Sequence, residues 1–166
     1  MAKAGARKTR SKRRAKSRIV RKAKPAVATK SKKRSARTWP KQKVAIRHHN
    51  DSDFDAGLRT YSAYRDLGIA EATGGKVRAH VIRMTRPFDG GEVAIPHYHD
   101  VDFQMVYVLR GWFETDLDGH GPVRMHAGSS WLQPPKIRHT VTGYSEDCEL
   151  LEIVSPADFG TVTLAK

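Results

Sequence analysis

From residue 76 onward the chain is a succession of short β-forming runs, and this most limits what it can fold into. The runs are 76–86, 93–99, 103–109, 112–117, 121–126, 129–133, 138–142, 148–154 and 161–164. Turn signals separate them: Asp89-Gly-Gly91, Arg110-Gly111, Asp118-Gly119, Ala127-Gly128, Pro134-Pro135, Gly143 and Ser155-Pro156. Many short strands with tight turns predict an all-β antiparallel sandwich or barrel. Tyr61 to Ala72 reads as a short helix broken near Gly68, and Gly74-Gly75 as the turn that follows it.

Charge divides the chain in two. Residues 1–43 carry 19 Lys and Arg and no acid, so the net +14 is an average over unlike parts. The remaining 12 basic residues and all 17 acids lie in 44–166, a balance of −5. Val20, Val27 and Trp39 are isolated apolar side chains in the arm, and Pro25 and Pro40 oppose a long helix. Such a segment cannot bury enough surface to offset the entropy of ordering, so 1–43 is expected to be a disordered basic arm. Residues 44–166 are expected to form one domain.

Within the β-rich part, His97 and His99 stand two apart, so on a strand both rings leave the same face. The next run, Phe103 to Leu109, has one strongly polar side chain, Gln104. A buried amide without a partner costs roughly 1–3 kcal/mol, and a metal bound through its carbonyl oxygen would supply that partner. His139 follows Pro134-Pro135 and brings a third imidazole on another strand. His97, His99, Gln104 and His139 are therefore the candidate metal ligands.

These residues resemble a known family. Gly91-x5-His97-x-His99-x4-Gln104-x6-Gly111 is similar to the first motif of the cupins, with Gln where Glu is commonest. Gly128-x5-Pro134-x-Lys136-x2-His139-x3-Gly143 is similar to the second, with Lys136 and Gly143 at positions usually held by Gly and Asn. The resemblance covers roughly residues 76–155. It implies a small single-domain cupin: a double-stranded β-helix, or jelly-roll barrel, preceded by a short helical segment. It also implies one divalent transition metal and, as cupins often pair through sheet faces, a homodimer. Mixed nitrogen and oxygen ligation suits Fe, Mn, Ni, Co or Zn.

Three neutral imidazoles and a neutral amide leave the 2+ charge uncancelled. That tilts the expected chemistry from oxygen activation toward Lewis-acid steps of the isomerase or lyase kind on a small anionic metabolite. The alternatives are a metal-dependent dioxygenase, or a non-catalytic ligand-binding or regulatory module tethered to nucleic acid by its basic arm. The set is also similar to the small cupins that ketonise unsaturated uronates, which carry an acid and a nearby arginine after the second motif. Glu152 can stand for the acid, but no arginine follows it before Phe159.

Glu152, among Leu150, Leu151, Ile153 and Val154, is the candidate catalytic base, since apolar surroundings raise a carboxyl pKa. Its other reading is an outward residue on an edge strand. Tyr107 has the opposite parity to Gln104 and is expected to point away from the site. Trp112 and Trp131 read as core or interface aromatics. Arg78, Arg83 and Arg86 read as a solvated or interface face that can also clamp an anion. His48, His49, His80, His120 and His126 show no ligand spacing.

The lone Cys148 rules out an internal disulfide and fits a reducing, cytoplasmic setting. No run reaches the ~20 apolar residues of a membrane helix, so no membrane partner is expected. The arm suits nonspecific binding to nucleic acid through phosphates, though it lacks aromatic interleaving for base stacking; a targeting peptide and a solubilising tail are the other readings of its Lys-, Arg- and Ser-bearing, acid-free composition. If about ten of its charges engage phosphates, affinity falls more than a thousandfold between low and moderate salt. A chain beginning at Val44 is expected to lose this salt-dependent DNA binding in a filter or anisotropy titration. Equal binding by both chains would rule out the tether.

Overall fold

A computed structural model describes residues 39–57 and 59–165. The expectation of a disordered arm over 1–43 falls almost wholly outside the described residues. Trp39 to Lys43, its described end, carry no helix or strand. Among the described residues no helix is long and apolar enough to cross a membrane.

The strands are, in chain order, β1 Asp55–Ala56, β2 Ser62–Asp66, β3 Arg78–Met84, β4 His97–His99, β5 Phe103–Arg110, β6 Trp112–Leu117, β7 Gly121–His126, β8 Ser130–Leu132, β9 His139–Tyr144, β10 Glu149–Ser155 and β11 Thr161–Thr163. They form two antiparallel sheets, as the run-and-turn pattern predicts. One has the order β1-β2-β3-β10-β5-β8 and the other β11-β4-β9-β6-β7.

Two expectations need correction. The helix expected over Tyr61 to Ala72 is confined to one turn, α1 Ile69–Ala72, and Ser62–Asp66 is a strand instead. Its pairing with β3 decides this, with Ser62 opposite Met84, Tyr64 opposite Ile82 and Asp66 opposite His80. Long-range ladder bonds outweigh a weak local helical preference. The run 93–99 is a strand only at His97–His99. Gly90–Val93 forms the short helical turn α2, started by Asp89, whose carboxylate accepts from the Gly91 N–H at 2.8 Å.

Alternation along β5 and β10 places the core. On β5, Gln104, Val106 and Val108 point inward, and Met105, Tyr107 and Leu109 point out. On β10, Leu150 and Val154 are buried on the same inner face. Val108 and Val154 keep no exposed surface, and each such side chain contributes about 1.5–3 kcal/mol. Phe113 of β6 stacks on Trp131 of β8 at 5.8 Å between centroids, bridging the sheets. Around them Tyr61, Met84, Val93, Met125, Tyr144 and Cys148 complete the apolar cluster. The space beside that cluster is an open cavity of about 550 Å³, lined by inward residues of both sheets.

Two glycines show how tightly the strands are joined, and one of them corrects an expectation: Gly143, read as a turn after the run 138–142, lies inside β9, where it pairs opposite Glu114 of β6. Gly143 lies against Trp112, and a Cβ there would stand 3.0 Å from the indole ring. Gly111, between β5 and β6, has φ +66°, and a Cβ there would stand 2.6 Å from the Asp147 carboxylate and 3.2 Å from the Cys148 Cα. Left-handed strain and overpacking then add. Gly111→Ala is expected to destabilise the domain by about 2–4 kcal/mol in denaturant unfolding. A change under about 0.5 kcal/mol would mean that the turn relaxes freely.

Candidate metal centre

β4 and β9 are neighbours, and His97 lies directly opposite His139 in their register. His99, two residues on, lies opposite Thr161 of β11. Strand parity and register together put three imidazoles on one inner face. The ring centroids are 4.2 Å apart for His97 and His139, and 5.1 Å for each of the other pairs.

Each ring is held by its Nδ1. His97 Nδ1 is 2.7 Å from the Ile95 carbonyl, and His139 Nδ1 is 3.0 Å from the Ile137 carbonyl. A carbonyl only accepts, so in both rings Nδ1 carries the proton and Nε2 keeps its lone pair. His99 Nδ1 is 2.9 Å from the Thr161 hydroxyl, which can accept in the same way. Such outer partners orient metal-binding histidines. The candidate ligand atoms all lie within 4.8 Å of one another. With Zn–N bonds of about 2.0–2.1 Å, ligand nitrogens stand roughly 3–4 Å apart, so a contraction of less than about 2 Å closes the shell. The three residues can hold a metal.

Burial keeps the rings neutral. Desolvation lowers the His97 pKa, and it pushes His99 and His139 down to about 4. Neighbouring imidazoles push the latter two further the same way. At neutral pH no proton competes for the Nε2 lone pairs.

Gln104 is 2 % exposed and makes two hydrogen bonds. Its Nε2 donates to Glu152 Oε1 at 2.7 Å, and its Oε1 accepts from Gln133 Nε2 at 3.0 Å. Gln133 Nε2 is also 3.1 Å from His139 Nε2, and Gln133 Oε1 accepts from the Trp131 indole N–H at 3.3 Å. Two ends set the polarity of this chain: an ionised Glu152 only accepts and the indole of Trp131 only donates. The amide between them must then present Gln104 Oε1 toward Gln133 Nε2. That one donor nitrogen reaches both Gln104 Oε1 and His139 Nε2, so Gln133 links the amide to the histidine group.

Glu152 points into the cavity from the centre of its sheet, between β3 and β5, rather than outward from an edge. Its Oε2 is 2.7 Å from His80 Nε2, and its side chain keeps 12 % exposure. Burial opposes its ionisation, but the bonds from His80 and Gln104 and the charge of His80 outweigh it and hold the pKa below the usual carboxylate value. The raised pKa expected from apolar neighbours is therefore corrected to a lowered one.

His80, like the other histidines outside the triad, has no ligand spacing in the sequence. The structure puts it on the cavity wall, directly opposite Glu152 in the β3–β10 register. Gln133 has no strand parity to reveal it, since it follows the end of β8. Arg78 also lines the cavity, together with Arg59 from the loop before β2. Arg83 does not: it pairs with Glu149 and Asp51 and lies over the Phe54 ring. Arg86 lies 3.9 Å from Glu92. Tyr107 is outside the cavity as parity predicts, and Trp131 lines it. Trp112 carries Arg124 over its ring at 3.9 Å.

Comparison with known proteins adds to this geometry. Residues 87–154 match the family described as Cupin domain. The chain is similar to the pectin degradation protein KdgF of Dickeya dadantii, 31 % identical over 74 residues. Those residues make up 43 % of this chain and 66 % of that protein. In structure it is similar to KdgF from a Halomonas species, with a TM-score of 0.52 and 23 % identity over 65 % of this chain and 92 % of the other. It is also similar to the polyketide cyclase RemF of Streptomyces resistomycificus, with a TM-score of 0.57 and 17 % identity over 73 % of this chain and 87 % of the other.

The lowered imidazole pKa values have a sign that can be tested. Between the ordinary 6.5 and about 4, the unfolded chain binds more protons at these residues than the folded one. Stability of the metal-free protein is therefore expected to fall as pH drops through that window. Glu152, with its lowered pKa, keeps its full stabilisation above the carboxyl's usual 4.5 and loses it only below that. Melting temperature of chelator-treated protein against pH checks this, and a flat profile from about pH 7 to 4.5 would contradict it.

Proposed function

We propose that this chain, a small member of the cupin superfamily, is a metal-dependent enzyme that isomerises or eliminates on a small anionic carbonyl compound. The observation that carries this reading is the convergence of His97, His99 and His139, each anchored at Nδ1, beside a Gln104 amide oriented by Glu152. His97, His99, His139 and the Gln104 carbonyl oxygen would hold one divalent ion. Bound there, the ion supplies Lewis-acid polarisation of a substrate carbonyl.

The protein groups around it suit proton transfer. Glu152 is ionised and faces the cavity, so a carboxylate oxygen can accept a proton from the carbon next to the carbonyl. His80 donates to Oε2 and steadies the carboxylate's position. Because Glu152 bonds the ligand amide and is not itself a ligand, its charge polarises the Gln104 carbonyl without occupying the shell. That ligand set favours Lewis-acid chemistry over the dioxygenase alternative.

Arg59 and Arg78 stand on the cavity wall, and among the described residues neither is ion-paired to a carboxylate. Asp55, Asp66, Glu152 and Asp158 share the same lining, so an anion must approach the arginines rather than the wall as a whole. These two arginines can take the part of the arginine that does not follow Glu152. Together with the similarity to a protein named for pectin degradation, this makes unsaturated uronates the first substrates to assay. Phe113, Trp131, Val106 and Ile82 form the apolar wall that limits water around the reacting carbon.

Metal analysis of the wild type beside His97→Ala and His139→Ala tests the site. The expected result is about one divalent ion per wild-type chain and a loss of at least about tenfold in each variant. Equal metal in all three would overturn the ligand assignment. Glu152→Gln is expected to keep the metal and to lose about 100-fold or more in turnover of any substrate found.

A further inference from the structure

The Gln133 side chain is 4 % exposed, lines the cavity and has its amide atoms partnered. Its Oε1 is held by Trp131 at 3.3 Å, which turns Nε2 toward the histidines. That nitrogen has two hydrogens. One goes to Gln104 Oε1 at 3.0 Å and the other to His139 Nε2 at 3.1 Å. The two bonds differ in one respect. Gln104 Oε1 has two lone pairs and can serve Gln133 and a metal together, whereas His139 Nε2 has only one.

A metal on His139 Nε2 therefore removes one acceptor from Gln133 and leaves a buried N–H facing the cavity. A buried donor without a partner costs about 1–3 kcal/mol, so this N–H favours any ligand that brings an oxygen to it. Trp131 stacks on Phe113, and the Gln133 backbone N–H is fixed to the Gln104 carbonyl at 2.9 Å. Both hold the side chain in place. We infer that Gln133 is a substrate-binding residue, whose amide N–H donates to the carboxylate or carbonyl oxygen of a ligand entering the cavity beside His139. This rests on the metal centre proposed above. Gln133 thereby reads substrate oxygen directly, a role distinct from that of the ligands and of Glu152.

Cobalt(II) loading of the full chain, followed by acetate titration read in the visible spectrum, tests it. Gln133→Met keeps side-chain length and removes the donor. With cobalt saturating, acetate is expected to bind it about tenfold more weakly than the wild type, the loss of one charge-assisted hydrogen bond. Gln133→Glu puts an acceptor in place of the donor and is expected to weaken acetate further. It also decides the case if the Met variant loses cobalt. A purely structural role would move cobalt affinity and melting temperature but leave acetate affinity at saturating cobalt unchanged. That outcome, acetate within about threefold of wild type in a cobalt-loaded variant, overturns the inference alone. No cobalt uptake by the wild type overturns the metal centre, and this inference with it.

Discussion

Antiparallel pairing of β5 with β10 is the constraint from which the site follows. Their register sets Gln104 opposite Val154, and Glu152 opposite Val106, on one inner face. Gln104 and Glu152 are then diagonal neighbours, close enough for the 2.7 Å bond between amide and carboxylate. A carboxylate that can only accept orients the amide, and the amide's oxygen has one direction left. A shift of one residue in this pairing would turn every inward side chain outward. The site would be lost together with the core.

The same face carries two environments. Val106, Val108 and Leu150 belong to one apolar cluster with Phe113, against which Trp131 packs. Gln104, Glu152, His80 and Gln133 form a hydrogen-bonded polar array beside it. Polar groups in such surroundings are tolerable because each finds a partner. The low dielectric that makes an unpaired amide costly also keeps the imidazoles unprotonated, and unprotonated imidazoles are what a metal needs.

How much was legible from sequence depended on whether a residue's position follows from local periodicity. His97, His99 and Gln104 lie on strands, where alternation every second residue states which face they share, and Tyr107 was placed outside by the same rule. Glu152 stands out as an acid among apolar strand residues, but its orientation depends on whether β10 is a central or an edge strand, which no local pattern states. His80 and Gln133 were out of reach for a different reason. Their significance lies in partners far along the chain, Glu152 for one and Gln104 and Trp131 for the other. Ser62–Asp66 illustrates the same limit, since its strand character comes from pairing with β3. Lys136, in a turn position that resembled a glycine site, keeps the left-handed φ of 62° that such a site uses.

The amino-acid sequence by itself determined the antiparallel all-β class and the three histidines of the site. It also marked a lone polar residue on an otherwise apolar strand. Those properties follow from turn residues and from a two-residue repeat, both of which act over a few neighbours. Only the tertiary structure decided that Glu152 faces inward and ionises, that His80 and Gln133 join the site, and that Arg59 and Arg78 share its cavity. Those facts depend on which strands become neighbours and in what register. That in turn is set by the burial of the whole inner face and not by any short stretch of chain.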